Sequence, residues 1–279
     1  MRLESIAVIG AGRVGLTLAR ALIRSGPAVR VLGRHARLLP EPLAPVETDW
    51  TGAVVASGLV IIAVPDDTIA EIALVLAGTK AITDRHVVLH TSGLHDRSAL
   101  EALGTSGAAL GSWHPLQTFA LPDGDPGALP GTPVAIEGDI RALEAGRALA
   151  ALLHLRPIVE IPPGGKARYH AAAVIASNYL VVLADVAARL ARDAGAGDAS
   201  TDLFLPLIRR TLLNYAAGGP ATLTGPVSRG DAGTVARHLE ALTGTDRALY
   251  VALGREALKL ARAAGLGEQK AAALEVLFY

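Results

Sequence analysis

The run IAVIGAGRVGLTLARAL, starting at Ile6, constrains this chain more than any other feature, because an apolar strand pattern passes straight into glycines at positions 10, 12 and 15 and then into a helix pattern. Each glycine in that spacing has a separate task. Gly10 permits the tight turn, Gly12 lets backbone approach a pyrophosphate, and Gly15 lets the helix pack on the strand, while the helix N-terminus offers unpaired N–H groups and the positive end of its dipole. The loop Gly10, Ala11, Gly12, Arg13, Val14, Gly15 is therefore the expected dinucleotide cradle; the alternative is a glycine-rich turn that binds nothing.

Compact apolar runs alternate with helical patterns up to about Pro163: 5–10, 29–33, 59–65, 87–91, 109–113, 133–137 and 157–161. Such runs suit strands buried on both faces. Beyond Gly164 the pattern is helices separated by turns such as AGAGDAS and AGGPATLTGP. The expected fold is α/β, an N-terminal Rossmann doubly wound, mostly parallel sheet followed by an all-helical C-terminal domain. The shift in pattern divides the chain into 1–162, expected to bind the dinucleotide, and 163–279, an all-helical domain expected to bind substrate. Segment 117–133, dense in Pro, Gly and Asp, is the expected mobile loop. The final LEVLFY resembles part of a protease-tag linker and is assigned no function.

Charge excludes other classes. With 26 Lys plus Arg against 26 Asp plus Glu, the formal net charge is zero, which disfavours nucleic-acid and polybasic membrane binders. There is no cysteine, so thiolate metal sites and catalytic thiols are excluded and redox chemistry must come from a cofactor. No metal ligand set is assigned. The N-terminus lacks a signal-peptide pattern, and the apolar stretch 171–184 is shorter than the ~20 residues of a membrane span. It reads as a buried helix, and the protein as cytoplasmic.

The second strand ends in Gly33, Arg34 and His35, with Arg37 beyond, where an NAD enzyme keeps an acidic residue for the ribose. Without that acid a 2′-phosphate is not repelled, and a guanidinium can pair with it. NADP(H) is the expected cofactor, with Val64 and Pro65 beside its ribose and Asp66 and Asp67 capping the next helix. Ser92 in LHTSG and His114 in GSWHPLQTF fall at later strand ends, where substrate chemistry is expected. A histidine there can protonate a carbonyl or imine; alternatively it fixes the loop, and Ser92 closes a turn. On the helix KARYHAAAVIASNY, Lys166, His170 and Ser177 fall within roughly 40° of one another, with Asn178 beyond. Lys166, at the helix start, is a candidate proton donor with a lowered pKa. Arg229, held between Gly225–Pro226 and a capping Asp231, suits a substrate carboxylate; a surface ion pair is the alternative.

GAGRVG, GRH, LHTSG, SWHPLQTF, KARYHAAAVIASNY and LTGPVSRGD occur in that order along nearly the whole chain. In this the chain resembles the Rossmann-like bacterial family of the domain of unknown function 2520, related to pyrroline-carboxylate reductases, ketopantoate reductases and β-hydroxyacid dehydrogenases. The resemblance implies a homodimer formed through the helical domain. Lys166 matches the lysine that orients and protonates the carbonyl oxygen in β-hydroxyacid dehydrogenases, and His170 stands where those enzymes carry asparagine. The loop before the 232 helix is similar to the Ser/Thr-Pro-Gly loop of pyrroline-carboxylate reductases but carries Arg229 and Asp231. Trp113 to Pro115 is similar to the His-Pro strand end of prephenate dehydrogenases. The expected activity is NADPH-dependent reduction of a small carboxylate-bearing ketone or imine. Lys166 and His114 (with His170) serve as catalytic groups, and Ser92, Ser177, Asn178 and Arg229 hold substrate. The alternatives are a prephenate-type dehydrogenase, a cyclic-imine reductase, or a noncatalytic NADP(H)-binding redox regulator.

Overall fold

All seven apolar runs become strands of one sheet in a computed structural model of the protein, which describes residues 3–197 and 201–279. The strands are β1 (Ser5–Ile9), β2 (Ala28–Leu32), β3 (Leu59–Ile62), β4 (Val87–His90), β5 (Ala109–Pro115), β6 (Val134–Gly138) and β7 (Ile158–Glu160). Their order across the sheet is β2-β1-β3-β4-β5-β6-β7, parallel throughout except where β5 meets β6. Helices α1 (Arg13–Arg24), α2 (Trp50–Val55), α3 (Ile69–Thr79) and α4 (Ile140–Leu152) connect them. Alternate residues of β1 and β3 enter separate apolar cores, with Ile6, Val8, Leu59 and Ile61 in one and Ala7, Ile9, Val60 and Ile62 in the other. Burial on both faces is the reason these strands read as unbroken apolar runs. Because the chain leaves β1 towards β2 on one side and β3 on the other, a crevice opens at their carboxyl ends.

The first compact unit is Met1–Asn178, so α5 (Lys166–Ala176) packs with the sheet instead of opening the helical half. The composition shift at 162 marks the last strand, whereas the compact unit closes one helix later, anchored by Lys166. The second unit, Tyr179–Tyr279, contains most of α6 (Asn178–Asp193), then α7 (Leu205–Gly218), α8 (Pro226–Arg229), α9 (Ala232–Ala241), α10 (Gly244–Ala263) and α11 (Glu268–Phe278). Asp231 caps α9 as expected, its carboxylate accepting from the backbone N–H and hydroxyl of Thr234 at 3.0 and 2.7 Å. The last three residues of the AGAGDAS turn, 198–200, lie outside the described residues.

Four local expectations are corrected. Segment 117–133 is pinned to α1: the Thr17 hydroxyl accepts from Asp125 N at 2.9 Å, Arg20 donates to Asp123 O at 3.1 Å, and Leu129 is fully buried. All of LEVLFY but its final Tyr279 is part of α11, and Leu274 and Phe278 pack with Val235, Leu239 and Leu258 in the second unit's core. Gly254 leaves room for the Phe278 ring. Asp66 and Asp67 cap nothing; they lie in a single 3-10 turn ahead of α3 whose N-cap is Pro65, and Asp67 accepts from the Thr68 hydroxyl instead. The apolar stretch of α5 and α6 is not buried within the chain: Ile175, Tyr179, Val181 and Val182 are exposed. Its composition makes Lys166–Asp193 long and apolar enough to cross a membrane, with a mean hydropathy of 1.8 in its most apolar window and 6% of that window buried. Helical periodicity identifies an apolar face but not what covers it.

Candidate active site

The crevice at the ends of β1, β2 and β3 holds a cavity of about 390 Å³. Gly10, Ala11 and Gly12 from the first loop, Gly33, Arg34 and His35 from the second, and Val64 and Pro65 from the third line it. Arg13 and Val14 open α1 just behind this lining. Gly15 sits beneath it, where a Cβ would lie 1.9 Å from Gly10 O. Gly10 has φ +112°, and a Cβ there would stand 2.2 Å from Ala63 O. At Gly12 a Cβ would meet nothing within 4 Å, so the space over its backbone is open to a ligand. Gly12 caps α1 without a side-chain acceptor, and the first turn carries no acid. Its N–H groups thus remain available to an anion.

The loop after β2 is tied down by side chains that periodicity does not identify as functional. Arg37 donates to Ala11 O at 2.9 Å, joining the first and second loops, and Trp50 Nε1 donates to Gly33 O at 3.0 Å. Arg34 and His35 are exposed on the cavity lining. These residues fit a dinucleotide: glycine backbone and a helix N-terminus for the pyrophosphate, and cationic or neutral side chains for the adenosine end.

A second constellation lies at the ends of β4 and β5. Lys166, the first residue of α5, is buried at 2% exposure, and its Nζ donates to Ser92 O at 2.9 Å and to Ser112 Oγ at 2.7 Å. Ser112 in turn donates to the same Ser92 carbonyl at 3.1 Å. Burial lowers the Lys166 pKa to about 8, against the opposing attraction of Glu137, Asp66 and Asp96. Glu137 is itself buried and is pushed upward by desolvation; its Oε2 accepts from Arg97 N at 2.8 Å.

His114, at the end of β5, has its Nδ1 3.0 Å from the Tyr169 hydroxyl, and its ring meets that of His170 edge-on at 6.2 Å. Burial, reinforced by Lys166 and His170, lowers the His114 pKa to about 4. His114, His170, Ser177 and Asn178 line one cavity of about 570 Å³ with Tyr169, Gln117 and Thr118. Lys166 stands behind this lining, since α5 starts against the sheet and its later turns face the cavity. Ser92 closes a turn, its hydroxyl oxygen accepting from Leu94 N and His95 N at 3.0 Å, while its carbonyl holds Lys166. His90, in the same motif, is fixed between Ser92 N and Asp96 O.

Arg229 falls outside the first unit. It lies exposed in the second unit, at the end of α8, beside a separate cavity of about 870 Å³ that includes Lys270. The residues that sequence reasoning passed over are Ser112 and Tyr169. Ser112 and Tyr169 sit inside the quoted motifs GSWHPLQTF and KARYH, but only the fold reveals what they face.

Comparison with known proteins agrees with this architecture. Residues 1–115 match the family model described as a Rossmann-like domain. Residues 132–257 match the domain of unknown function DUF2520, which bears out the resemblance read from the motifs. No curated protein matches the chain. Among solved structures, a Bacteroides fragilis protein (BF3122), assigned as an NADP oxidoreductase, shares 23% identity over 91% of this chain and 97% of its own, with a TM-score of 0.68. An imine reductase variant from Myxococcus stipitatus in complex with NAD+ shares 19% over 93% and 94%, at 0.63. A reductive aminase from Aspergillus terreus in complex with NADPH and ethyl-5-oxohexanoate shares 18% over 99% and 93%, at 0.59. At these identities the likeness is one of fold.

Proposed function

We propose that the protein is an NADP(H)-dependent oxidoreductase that reduces a small carboxylate-bearing ketone or imine. The observation that carries this reading is the buried Lys166 ammonium, clasped by Ser92 and Ser112 beside a histidine-lined cavity, in the same unit as a glycine-loop crevice built for a dinucleotide. Bound NADPH supplies the hydride. The chain supplies the rest: Gly10 to Gly15 hold the pyrophosphate, and Arg34 and His35 meet the 2′-phosphate. Lys166 or His114 holds the proton destined for the substrate oxygen or nitrogen, His170, Ser177 and Asn178 orient the substrate, and Ser92 positions Lys166 through its carbonyl. The names of two structural neighbours, an imine reductase and a reductive aminase, support the imine substrate. No Lys or Arg lines the His114 cavity among the described residues; Arg229 is kept for a substrate carboxylate only through the homodimer, at a site bounded by the nucleotide domain of a partner subunit.

The reading is tested by following NADPH consumption over a panel of oxo-acids and cyclic imino-acids. Turnover of at least one is expected. Tight NADPH binding without consumption across the panel would replace the reductase with a redox-sensing regulator. Arg34→Ala should weaken NADPH binding far more than NADH binding, by the about 1.5–3 kcal/mol of a charge-assisted hydrogen bond. Equal affinity of the unaltered protein for the two cofactors would remove Arg34 from this role.

The exposed apolar side chains of α6 and α7, among them Val181, Val182, Leu207 and Leu213, support a homodimer formed through the helical unit. A cytoplasmic location, where NADPH is regenerated, completes the proposal. Sedimentation equilibrium is expected to find a dimer, and a fully active monomer would contradict it.

A further inference from the structure

Tyr169 has no role in the reading above, yet it makes the one protein hydrogen bond seen at the His114 imidazole among the described residues. Its hydroxyl lies 3.0 Å from Nδ1, and the two rings meet edge-on, 5.7 Å apart at 85°. Two arrangements of protons satisfy that distance. Either the phenol donates to Nδ1 and the imidazole proton sits on Nε2, or Nδ1–H donates to the phenol oxygen and Nε2 is bare. A phenol is the stronger donor of the two and an imidazole nitrogen the stronger acceptor, so the first arrangement is favoured.

The groups around the pair keep both partners in the states this requires. Burial raises the Tyr169 pKa to about 12, so the phenol keeps its proton. Beyond burial, Lys166 and His170 push the His114 pKa down and Asp66 pushes it up, with His90 a minor contributor. The Lys166 ammonium lies 5.8 Å from the centre of the Tyr169 ring, on the element that carries both residues.

The other edge of His114 faces Gly93. A Cβ there would stand 2.9 Å from His114 Nε2 and 2.7 Å from His170 Cδ2, so any larger residue would press on the very atom that carries the proton. Glycine leaves that edge clear, and Nε2 has no protein partner among the described residues.

We infer that Tyr169 is a positioning residue that holds His114 as the neutral Nε2–H tautomer, so that His114 meets the substrate's oxygen or nitrogen as a fixed hydrogen-bond donor and not as an imidazolium. The consequence for turnover rests on the reductase reading; the tautomer does not. In this division of labour His114 orients and polarises the acceptor atom, and Lys166 holds the transferable proton.

Two-bond ¹H–¹⁵N correlation spectra of the full-length, labelled protein read the tautomer directly, with His114→Gln used to assign the signal. The unaltered protein is expected to show the Nε2–H pattern across about pH 6 to 8. Tyr169→Phe, which removes only the hydroxyl, is expected to shift His114 towards a mixture of tautomers. It should also lower kcat about tenfold while changing NADPH affinity by less than about twofold, the scale of one lost hydrogen bond. An unaltered protein with Nδ1 protonated, or a Tyr169→Phe variant with an unchanged pattern, would overturn the assignment. A changed tautomer with unchanged kcat would remove the positioning role. If the unaltered protein consumes no NADPH with any substrate, the reductase reading fails, and the spectra still decide the tautomer.

Discussion

Lys166→Met is expected to lower kcat by ~10²–10⁴, the usual loss when a general acid is removed, while NADPH affinity stays within a few fold. The separation of the two effects follows from geometry: Lys166 lies at the ends of β4 and β5, whereas the glycine loop belongs to β1 and α1. Methionine keeps the length of the side chain and removes the charge that burial penalises, so the variant loses two hydrogen bonds but sheds a desolvation cost. Rates measured well below the melting temperature isolate the chemical effect. The pH profile supplies an independent reading. With its pKa lowered to about 8, Lys166 is charged at neutral pH and loses its proton as pH rises through that value. Reductive turnover should therefore hold level through neutrality and fall above about pH 8. An acid based on protonated His114 would instead fail as pH rises above about 4. A profile already declining at neutrality, together with full activity of Lys166→Met, would transfer the proton-donating role to His114.

The second large effect concerns stability. At Gly15 a Cβ would lie 1.9 Å from Gly10 O, an impossible approach to backbone, so Gly15→Ala must drive α1 off β1. Overpacking of this kind costs about 1–3 kcal/mol, sometimes more, out of a total of roughly 5–15. Gly12→Ala is the control. Its Cβ enters open space and its φ of −88° suits alanine, so denaturant titration should find the fold intact. NADPH binding should nevertheless weaken, because the methyl group occupies the space proposed for the pyrophosphate. If Gly12→Ala binds NADPH with unchanged affinity, the crevice does not hold the dinucleotide in this way.

The contrast between these two glycines shows what sequence can encode legibly. Spacing within one loop is local, and so is the demand of a two-sided sheet for apolar runs; the strands and the cradle were both readable for that reason. The same locality explains the failures. Segment 117–133 looked mobile because its restraints, Thr17 to Asp125 and Arg20 to Asp123, join residues about a hundred positions apart. LEVLFY looked like an appendage until Phe278 was seen to need Gly254 as its seat. The face of α5 was readable as polar, but not that its first residue would turn into the sheet while His170, Ser177 and Asn178 turned towards a cavity. Tyr169 escaped notice because nothing in KARYH reveals that its hydroxyl meets a histidine 55 residues earlier.

Lys166 also works as a clasp. The chain reaches it only after β7 at the sheet's edge, and it then binds back to Ser92, just past the end of β4, and to Ser112 in β5, which are 74 and 54 residues earlier. Closing a loop of that length costs about 4 kcal/mol of chain entropy by the (3/2)RT ln n rule, a cost that shorter-range contacts avoid. The glycine loop, by contrast, needs only neighbouring segments of chain. A fragment ending at residue 162 keeps every strand of the sheet and leaves the Ser92 carbonyl and Ser112 hydroxyl without their ammonium. The proposed cradle for a nucleotide and the proposed means of delivering a proton thus depend on contacts of different range along the chain.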